Sequence, residues 1–166
     1  MAGDFKAKSD QVGRAGELFV AAEIHRRGGY AVTFSGNMPG IDILASDAAH
    51  NRRITVQVKT KGPGSMTWQT SIHRGRAKED VPEAEAEGRF WVLVDLRAAN
   101  PEFYVMPEWW IRDVIYVSHR DYLARNGGVR PGKNPESTHH AIPIARVAQW
   151  KGSWSTLDIL NSPFGD

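Results

Sequence analysis

The sequence contains no cysteine. A chain without this residue has no disulfide framework, no thiolate metal ligand and no thiol nucleophile. It also has no stretch that approaches the ~20 consecutive apolar residues needed to cross a membrane, and residues 1–10 lack the apolar segment of a signal peptide. From these absences we expect a soluble, cytoplasmic protein.

Several catalytic signatures are missing as well. The chain has no phosphate-binding glycine loop, no serine-nucleophile motif and no HExxH pattern. His139 and His140 stand next to each other in a polar stretch that contains Gly and Pro. Adjacent residues on an irregular loop seldom bind one metal ion without further ligands, so loop polarity is the better explanation for this pair.

The chain also lacks a large excess of charge of one sign, because its net charge is only +2. A phosphate-binding footprint depends on a local basic patch rather than on the total. Residues 1–80 carry 12 Lys and Arg against 8 Asp and Glu, whereas residues 81–166 carry 9 against 11. The excess in the first half would favour a polyanion there, although solvated surface charge is the commoner explanation for a bias of this size.

What the chain does have is enough apolar material for a core. Its 166 residues, 41% of them hydrophobic, predict a single compact domain over residues 1–166. No internal repeat, low-complexity tract or linker divides the sequence.

Two predicted strands within residues 39–61 carry the most informative polar residues. Successive side chains of a strand point to opposite faces, so Gln57 and Lys59 share one face while the valines between and beside them face the core. Asp42 lies in the preceding apolar strand, where a carboxylate is costly unless it is paired or binds a metal. If the strands are neighbours, these three side chains converge within reach of a divalent cation and a phosphate. A hydrogen-bonded turn or edge position is the alternative for Asp42 alone.

A helix is predicted over residues 11–27, with Ser9 or Asp10 as its N-cap. Glu17 falls on an apolar stripe of this helix, because spacings of three, four and seven return to the same side. Two interpretations stay open: Glu17 faces solvent or pairs with Arg14, or it contributes to the site on the strands.

The remaining elements alternate between strands and helices. Strands are predicted over residues 30–35, 66–72, 89–96 and 103–106, and helices over residues 79–87, 107–115 and 118–125, followed by a loop over residues 129–140 and closing helical turns. Residues 90–94 are apolar throughout, which is typical of a strand covered on both faces. The pattern predicts an α/β fold with a mixed central sheet flanked by helices, and a Trp-rich helical extension from residue 107 onward.

Residues 11–61 resemble the core of the PD-(D/E)XK nuclease superfamily, which has the restriction-endonuclease-like fold. The resemblance rests on the helix with Glu17, the segment GIDIL and the strand VQVKT, in that order. The superfamily pattern is an acid on a strand after a turn, then an acid or amide, any residue and a lysine on the neighbouring strand. Here Asp42, Gln57 and Lys59 hold these positions, in a QxK variant. Archaeal Holliday-junction resolvases share this opening arrangement, whereas the Trp-rich extension does not resemble their short cores.

The resemblance implies a metal-dependent endonuclease that hydrolyses DNA phosphodiester bonds. It implies Mg²⁺ or Mn²⁺ as the cofactor and Asp42 as its main ligand. The Gln57 side-chain oxygen and the Val58 carbonyl would complete the ligand set, and Glu17 would bind directly or through water. Lys59 would orient or help deprotonate the attacking water and stabilise the developing negative charge. Glu17, Asp42, Gln57 and Lys59 are thus the expected catalytic residues.

Gln57 departs from the commonest superfamily pattern, which has an acid at this position. An amide offers an oxygen ligand without a charge, so we expect weaker metal affinity and no two-metal site. The alternative function is a catalytically inactive module of the same fold that binds nucleic acid or a protein partner. No organic cofactor and no membrane association are expected.

A basic and aromatic stretch after the candidate site supplies possible nucleic-acid contacts. These are Lys61, Trp68, Arg74, Arg76 and Lys78. Trp68 could stack on an extruded base, while simple solvent exposure is the alternative for the basic residues. The adjacent Trp109 and Trp110 leave at least one ring near the surface of a short helix, which favours a homodimer contact.

Overall fold

The computed structural model describes residues 8–34 and 38–161. Its helices are α1 (Ser9–Arg26), α2 (Glu83–Ala86), α3 (Glu108–Arg125) and α4 (Ile144–Val147), and its strands are β1 (Tyr30–Thr33), β2 (Ile43–Ser46), β3 (Arg53–Lys61), β4 (Thr67–Ser71), β5 (Arg89–Asp95), β6 (Glu102–Pro107) and β7 (His139–Pro143). No helix within these residues is both long and apolar enough to span a membrane.

Five strands form the central sheet in the order β1-β2-β3-β5-β6. The first three make an antiparallel meander, β3 and β5 run parallel, and β5 and β6 are antiparallel. A separate antiparallel pair joins β4 to β7. The mixed sheet with flanking helices confirms the predicted α/β fold class.

Two hydrophobic clusters lie on opposite faces of β5. Phe90, Val92 and Val94 belong to the cluster that α1 covers, whereas Trp91 and Leu93 belong to the cluster beneath α3. All five side chains are buried, which confirms the prediction of a strand covered on both faces. The central strand therefore connects the helix that carries Glu17 to the Trp-rich C-terminal part.

The structure corrects four predictions of local structure. The helix predicted over residues 79–87 is reduced to the single turn of α2, because Pro82 interrupts the segment. Helix α1 begins at Ser9, so neither Ser9 nor Asp10 is the N-cap; that position is held by Lys8, whose backbone N–H donates to the Gln11 side chain at 2.9 Å. The two helices predicted on either side of Ser118 are one continuous helix, α3, because no glycine or proline interrupts the segment. The predicted loop over residues 129–140 ends earlier, where β7 begins. The end of the strand predicted over residues 30–35 lies outside the described residues.

Glycine is required where α1 crosses β3. A Cβ on Gly16 would overlap the side chain of Thr60, whereas a Cβ on Gly13 would meet nothing within 4 Å. We expect Gly16→Ala to lower the free energy of unfolding by about 1–3 kcal/mol through overpacking. Gly13→Ala is the matched control and should raise it by about 0.5–1 kcal/mol through helix propensity. Urea unfolding measures both, and equal effects of the two substitutions would contradict the contact.

Candidate active site

Asp42 precedes β2 and lies directly beside β3. Its backbone N–H donates to the Val56 carbonyl at 2.9 Å, which extends the ladder between the two strands by one residue. Its side-chain Oδ2 accepts hydrogen bonds from the Val58 backbone N–H at 2.6 Å and from the Gln57 amide nitrogen. The two strands therefore bring Asp42 and Gln57 into contact, as the alternation of their side chains predicted.

The Gln57 amide is buried, with 7% of the residue exposed. Its Nε2 donates to Asp42, while its Oε1 has no hydrogen-bond partner among the described residues. A buried oxygen without a partner costs about 1–3 kcal/mol, so this atom has an unused capacity to bind a donor or a cation. An amide rotated by half a turn would place Oε1 against the Asp42 carboxylate, where the two oxygens repel each other unless a cation or a proton lies between them.

Glu17 approaches the same place from α1. Its Oε2 accepts from Arg14 Nη1 at 2.7 Å, and Arg14 also donates to the Phe34 carbonyl at 3.0 Å and to the Thr33 hydroxyl at 3.2 Å. Arg14 thereby ties α1 to the end of β1. Glu17 pairs with Arg14, as one of the two interpretations predicted, and it also lies on the wall of the cleft that contains Asp42.

That cleft, here called the active-site cleft, has a volume of about 610 Å³. Glu17, Asp42 and Gln57 all line it, together with the basic side chains Arg14 and Arg74. A cleft that contains carboxylates, an amide and guanidinium groups can hold a cation and an anion next to each other. A phosphodiester with a bound divalent cation has this charge pattern.

Lys59 is the fourth predicted residue. It does not line the cleft itself, but its ammonium lies within electrostatic reach of the other residues. Partial burial lowers the pKa of Lys59, while Asp42 and Glu17 act in the opposite direction and Arg74 acts in the same direction as burial. A lysine with a lowered pKa releases its proton more readily than a solvated one.

The side chains that line the cleft are of the types that magnesium prefers as ligands. Within the described ranges no three His, Cys, Asp or Glu side chains come together as a metal-binding group. Mg²⁺ usually takes one or two carboxylates and keeps several waters, and Asp42 and Glu17 supply two. The unpartnered Gln57 Oε1 is a further oxygen at this place. The Val58 carbonyl is on the same edge of β3 as the Val58 N–H that Asp42 binds, because both groups of a strand residue point the same way.

Two of the predicted nucleic-acid contacts are wrong. Trp68 is 0% exposed and its indole N–H donates to the Val94 carbonyl at 2.8 Å, so it cannot stack on a base. Lys61 is 2% exposed and pairs with Asp95 at 3.1 Å, which leaves no ammonium for a phosphate. Both side chains belong to the interior beneath β4.

The other three predicted contacts lie outside the core. Arg74 lines the active-site cleft. Arg76 pairs with Glu85 at 2.9 Å, and the Lys78 ammonium lies 4.8 Å from the centre of the Trp109 ring. Arg74 is therefore the best placed of the three for a phosphate in the cleft.

Basic residues that the sequence interpretation missed line a neighbouring cleft of about 350 Å³. Arg89 and Arg112 lie on its wall and share it with Glu108, which pairs with both of them. A signal was present in the sequence, since Glu108 and Arg112 have the spacing of a helical ion pair.

Trp109 and Trp110 are both half-buried. The Trp110 ring packs edge-on against Trp150, with ring centres 5.2 Å apart. The homodimer contact predicted for this pair stays a prediction.

Two solved structures to which this chain is similar are both nucleases. One is Hjc, a Holliday junction resolvase from the hyperthermophilic archaeon Archaeoglobus fulgidus, with 16% identity, a TM-score of 0.46 and coverage of 82% of this chain and 88% of that one. The other is the bacterial homing endonuclease I-Ssp6803I, with 12% identity, a TM-score of 0.48 and coverage of 92% and 94%. No protein-family model matches the chain, and no curated protein does.

A substitution of Lys59 tests its electrostatic position. Because its pKa is lowered from the ordinary 10.5 on folding, the protonated lysine opposes folding at neutral pH, and this cost disappears as the pH rises through the folded value toward the ordinary one. We expect Lys59→Met to raise the melting temperature at pH 7, with a gain that shrinks toward pH 10.5. Calorimetry across this range measures it. The exposed Lys133→Met is the control, and a loss of stability in Lys59→Met would contradict the expectation.

Proposed function

We propose that this chain is a metal-dependent endonuclease that hydrolyses DNA phosphodiester bonds. The observation that supports the proposal is the contact between Asp42 and Gln57 in a cleft that Glu17 also lines, with the lowered-pKa Lys59 close by. The arginines around this cleft match a negatively charged substrate. We assign Asp42, Gln57, Val58 and Glu17 as the residues that would hold Mg²⁺ or Mn²⁺.

When bound, a divalent cation supplies charge neutralisation at the phosphate and an activated water. The chain's own residues supply the rest. Asp42 is held in place by the Val58 N–H, so the carboxylate is oriented before substrate arrives. Lys59 accepts a proton from the attacking water or, when protonated, stabilises the negative charge that develops on the phosphate. Arg14 and Arg74 position the substrate backbone beside these groups.

A second function is supported by the way the polar groups satisfy each other. Asp42 is bound by the Gln57 amide, and Glu17 is bound by Arg14. A catalytically inactive module could use the same cleft to bind nucleic acid, or another face to bind a protein partner. In such a module the hydrogen bonds between these four residues would stabilise the fold without any reaction.

A cleavage panel separates the two functions. Linear duplex, supercoiled plasmid, single-stranded DNA and a four-way junction are incubated with Mg²⁺, Mn²⁺ or a chelator. The nuclease cuts at least one of them only with metal, and Lys59→Ala removes cutting while binding is largely kept. If no substrate is cut under any condition, the binding module is the correct function.

A further inference from the structure

A row of adjacent cavities, here called the groove, leads away from the active-site cleft along α3. The neighbouring cleft shares Arg74 and residues 39–41 with the active-site cleft. His73 lies on the wall of both this neighbouring cleft and a third cavity. His119 and Arg130 lie on the wall of both the third cavity and a fourth one. Each of the four cavities therefore shares wall residues with the next one in the row.

The last cavity, here called the distal pocket, has a volume of about 300 Å³. Its ionisable side chains are three arginines, three histidines and a tyrosine, and no carboxylate is among the described residues that line it: His119, Tyr122, Arg125, Arg130, His139, His140 and Arg146. Such an excess of donors and positive charge is unfavourable without an anion. The neighbouring cleft differs, since Glu108 offsets its arginines.

The arginines of the distal pocket are partly fixed by backbone contacts. Arg130 Nη1 donates to the carbonyls of Ser137 and His139 at 2.8 and 3.0 Å, and Arg125 Nε donates to the Asp121 carbonyl at 3.2 Å. Each guanidinium keeps further N–H groups, which suit the oxygens of a phosphate. Arg146 is exposed and makes no hydrogen bond or ion pair within the described residues.

His140 lies in the middle of this positive charge. Burial lowers its pKa, and His119 of α3, Arg146 of α4 and Arg130 of the preceding loop act in the same direction. The surroundings of His140 in the free chain therefore disfavour its protonated form. A bound phosphate would offset the positive charges and favour the protonated ring, so that binding at this pocket tightens as the pH falls.

We infer that the distal pocket binds a backbone phosphate of the same nucleic acid whose scissile phosphate lies in the active-site cleft. The part of this inference that concerns the scissile phosphate in the active-site cleft rests on the proposed function. The row of adjacent cavities favours a long polyanion over a free phosphate ion, since arginines line it at both the neighbouring cleft and the distal pocket. The substrate would then extend along α3, to one side of the bond that is cut.

Neutral methylphosphonate linkages test this path. They are placed one at a time along a DNA duplex of about 30 base pairs, about 100 Å long, and binding is measured by fluorescence anisotropy with chelator present, so that no cleavage is needed. For the wild-type chain we expect two separate sets of linkages that weaken binding. In Arg125→Ala/Arg146→Ala we expect the second set to disappear and affinity for the unmodified duplex to fall about tenfold. The slope of log affinity against log salt concentration should become shallower by about one for each arginine–phosphate interaction removed.

The matched control is Arg120→Ala/Lys151→Ala, which removes the same charge from exposed positions outside the groove. Thermal melting confirms that both variants are folded. Equal weakening by both variants, or an unchanged interference pattern in Arg125→Ala/Arg146→Ala, would overturn the inference. The inference would also be overturned if inorganic phosphate shifted the NMR resonances of the His140 ring while the Arg125→Ala/Arg146→Ala substitutions left the affinity for the duplex unchanged. Failure of the nuclease proposal is distinguishable, because a chain that never cuts DNA can still show both sets of linkages.

Discussion

Replacing Asp42 with asparagine is expected to reduce metal-dependent DNA cleavage by about a thousandfold or more. The substitution removes the charge that would hold the cation, and that cation contributes several kcal/mol of transition-state stabilisation. Asparagine keeps an oxygen that can accept from the Val58 N–H, so the strand pairing that Asp42 makes through this contact is retained. Single-turnover cleavage of the substrate found in the panel measures the loss.

Asp158→Asn is a suitable control for Asp42→Asn. Asp158 is exposed, is not part of the active-site cleft wall and has a left-handed backbone conformation that asparagine tolerates. The Asp158→Asn variant should cut DNA at the wild-type rate. Binding measured with chelator present should stay close to wild type in both variants. An Asp42→Asn variant that still cuts with metal would remove Asp42 from the reaction and would refute the proposed ligand set.

The second large effect is expected at the buried ion pair between Lys61 and Asp95. Asp95 accepts from Lys61 at 3.1 Å and from two side-chain nitrogens of Arg97, at 3.0 and 2.9 Å, and it is 2% exposed. The Lys61 ammonium also lies 4.0 Å from the centre of the Trp68 ring. Asp95→Asn leaves this ammonium buried without its carboxylate, and we expect it to lower the free energy of unfolding by about 3–5 kcal/mol.

A double-mutant cycle separates the pair from its surroundings. Lys61→Met should cost less than Asp95→Asn, because Arg97 still pairs with the carboxylate. The double substitution should recover much of the loss, because neither the Lys61 ammonium nor the Asp95 carboxylate is then left buried without its partner. Urea unfolding measures all three, and strictly additive losses would contradict a direct interaction. Asp121→Asn, at an exposed position, should change stability by no more than about 0.5 kcal/mol.

The same ion pair contributes to acid sensitivity. Burial raises the pKa of Asp95, but hydrogen bonds from Arg97 and Lys61 outweigh it, so the pKa is lowered from its ordinary 3.8. A carboxyl whose pKa falls on folding stabilises the protein above its unfolded pKa. This contribution is lost as the pH drops below 3.8 and through the folded value.

The pairing of side chains at the candidate site could be predicted because it is local in the chain. Consecutive strands usually pair, and the side-chain alternation in β2 and β3 then places Asp42 next to Gln57. The burial of β5 on both faces could also be predicted, from its hydrophobic run. In each case a pattern within one or two strands contains the information.

The burial of Lys61 could not be predicted in this way. By alternation Lys61 shares a face with Gln57 and Lys59. That face borders the active-site cleft at Gln57 but is covered by Trp68 at Lys61. The charge partner comes from the parallel pairing of β3 with β5, which places Lys61 opposite Asp95. This register depends on residues that are distant in the chain, so a local sequence pattern does not predict it. The pairing of β4 with β7 is hidden for the same reason.

The parallel alignment of β3 and β5 also sets an order in which the sheet can assemble. The meander of β1, β2 and β3 closes over short turns, whereas pairing β3 with β5 first requires residues 62–88 to be confined as a loop. Loop closure of this length costs entropy before any interaction offsets it. The carboxylate and amide of the cleft can therefore meet in a partly folded chain, while the arginine-lined groove exists only once the last strands and α3 have docked.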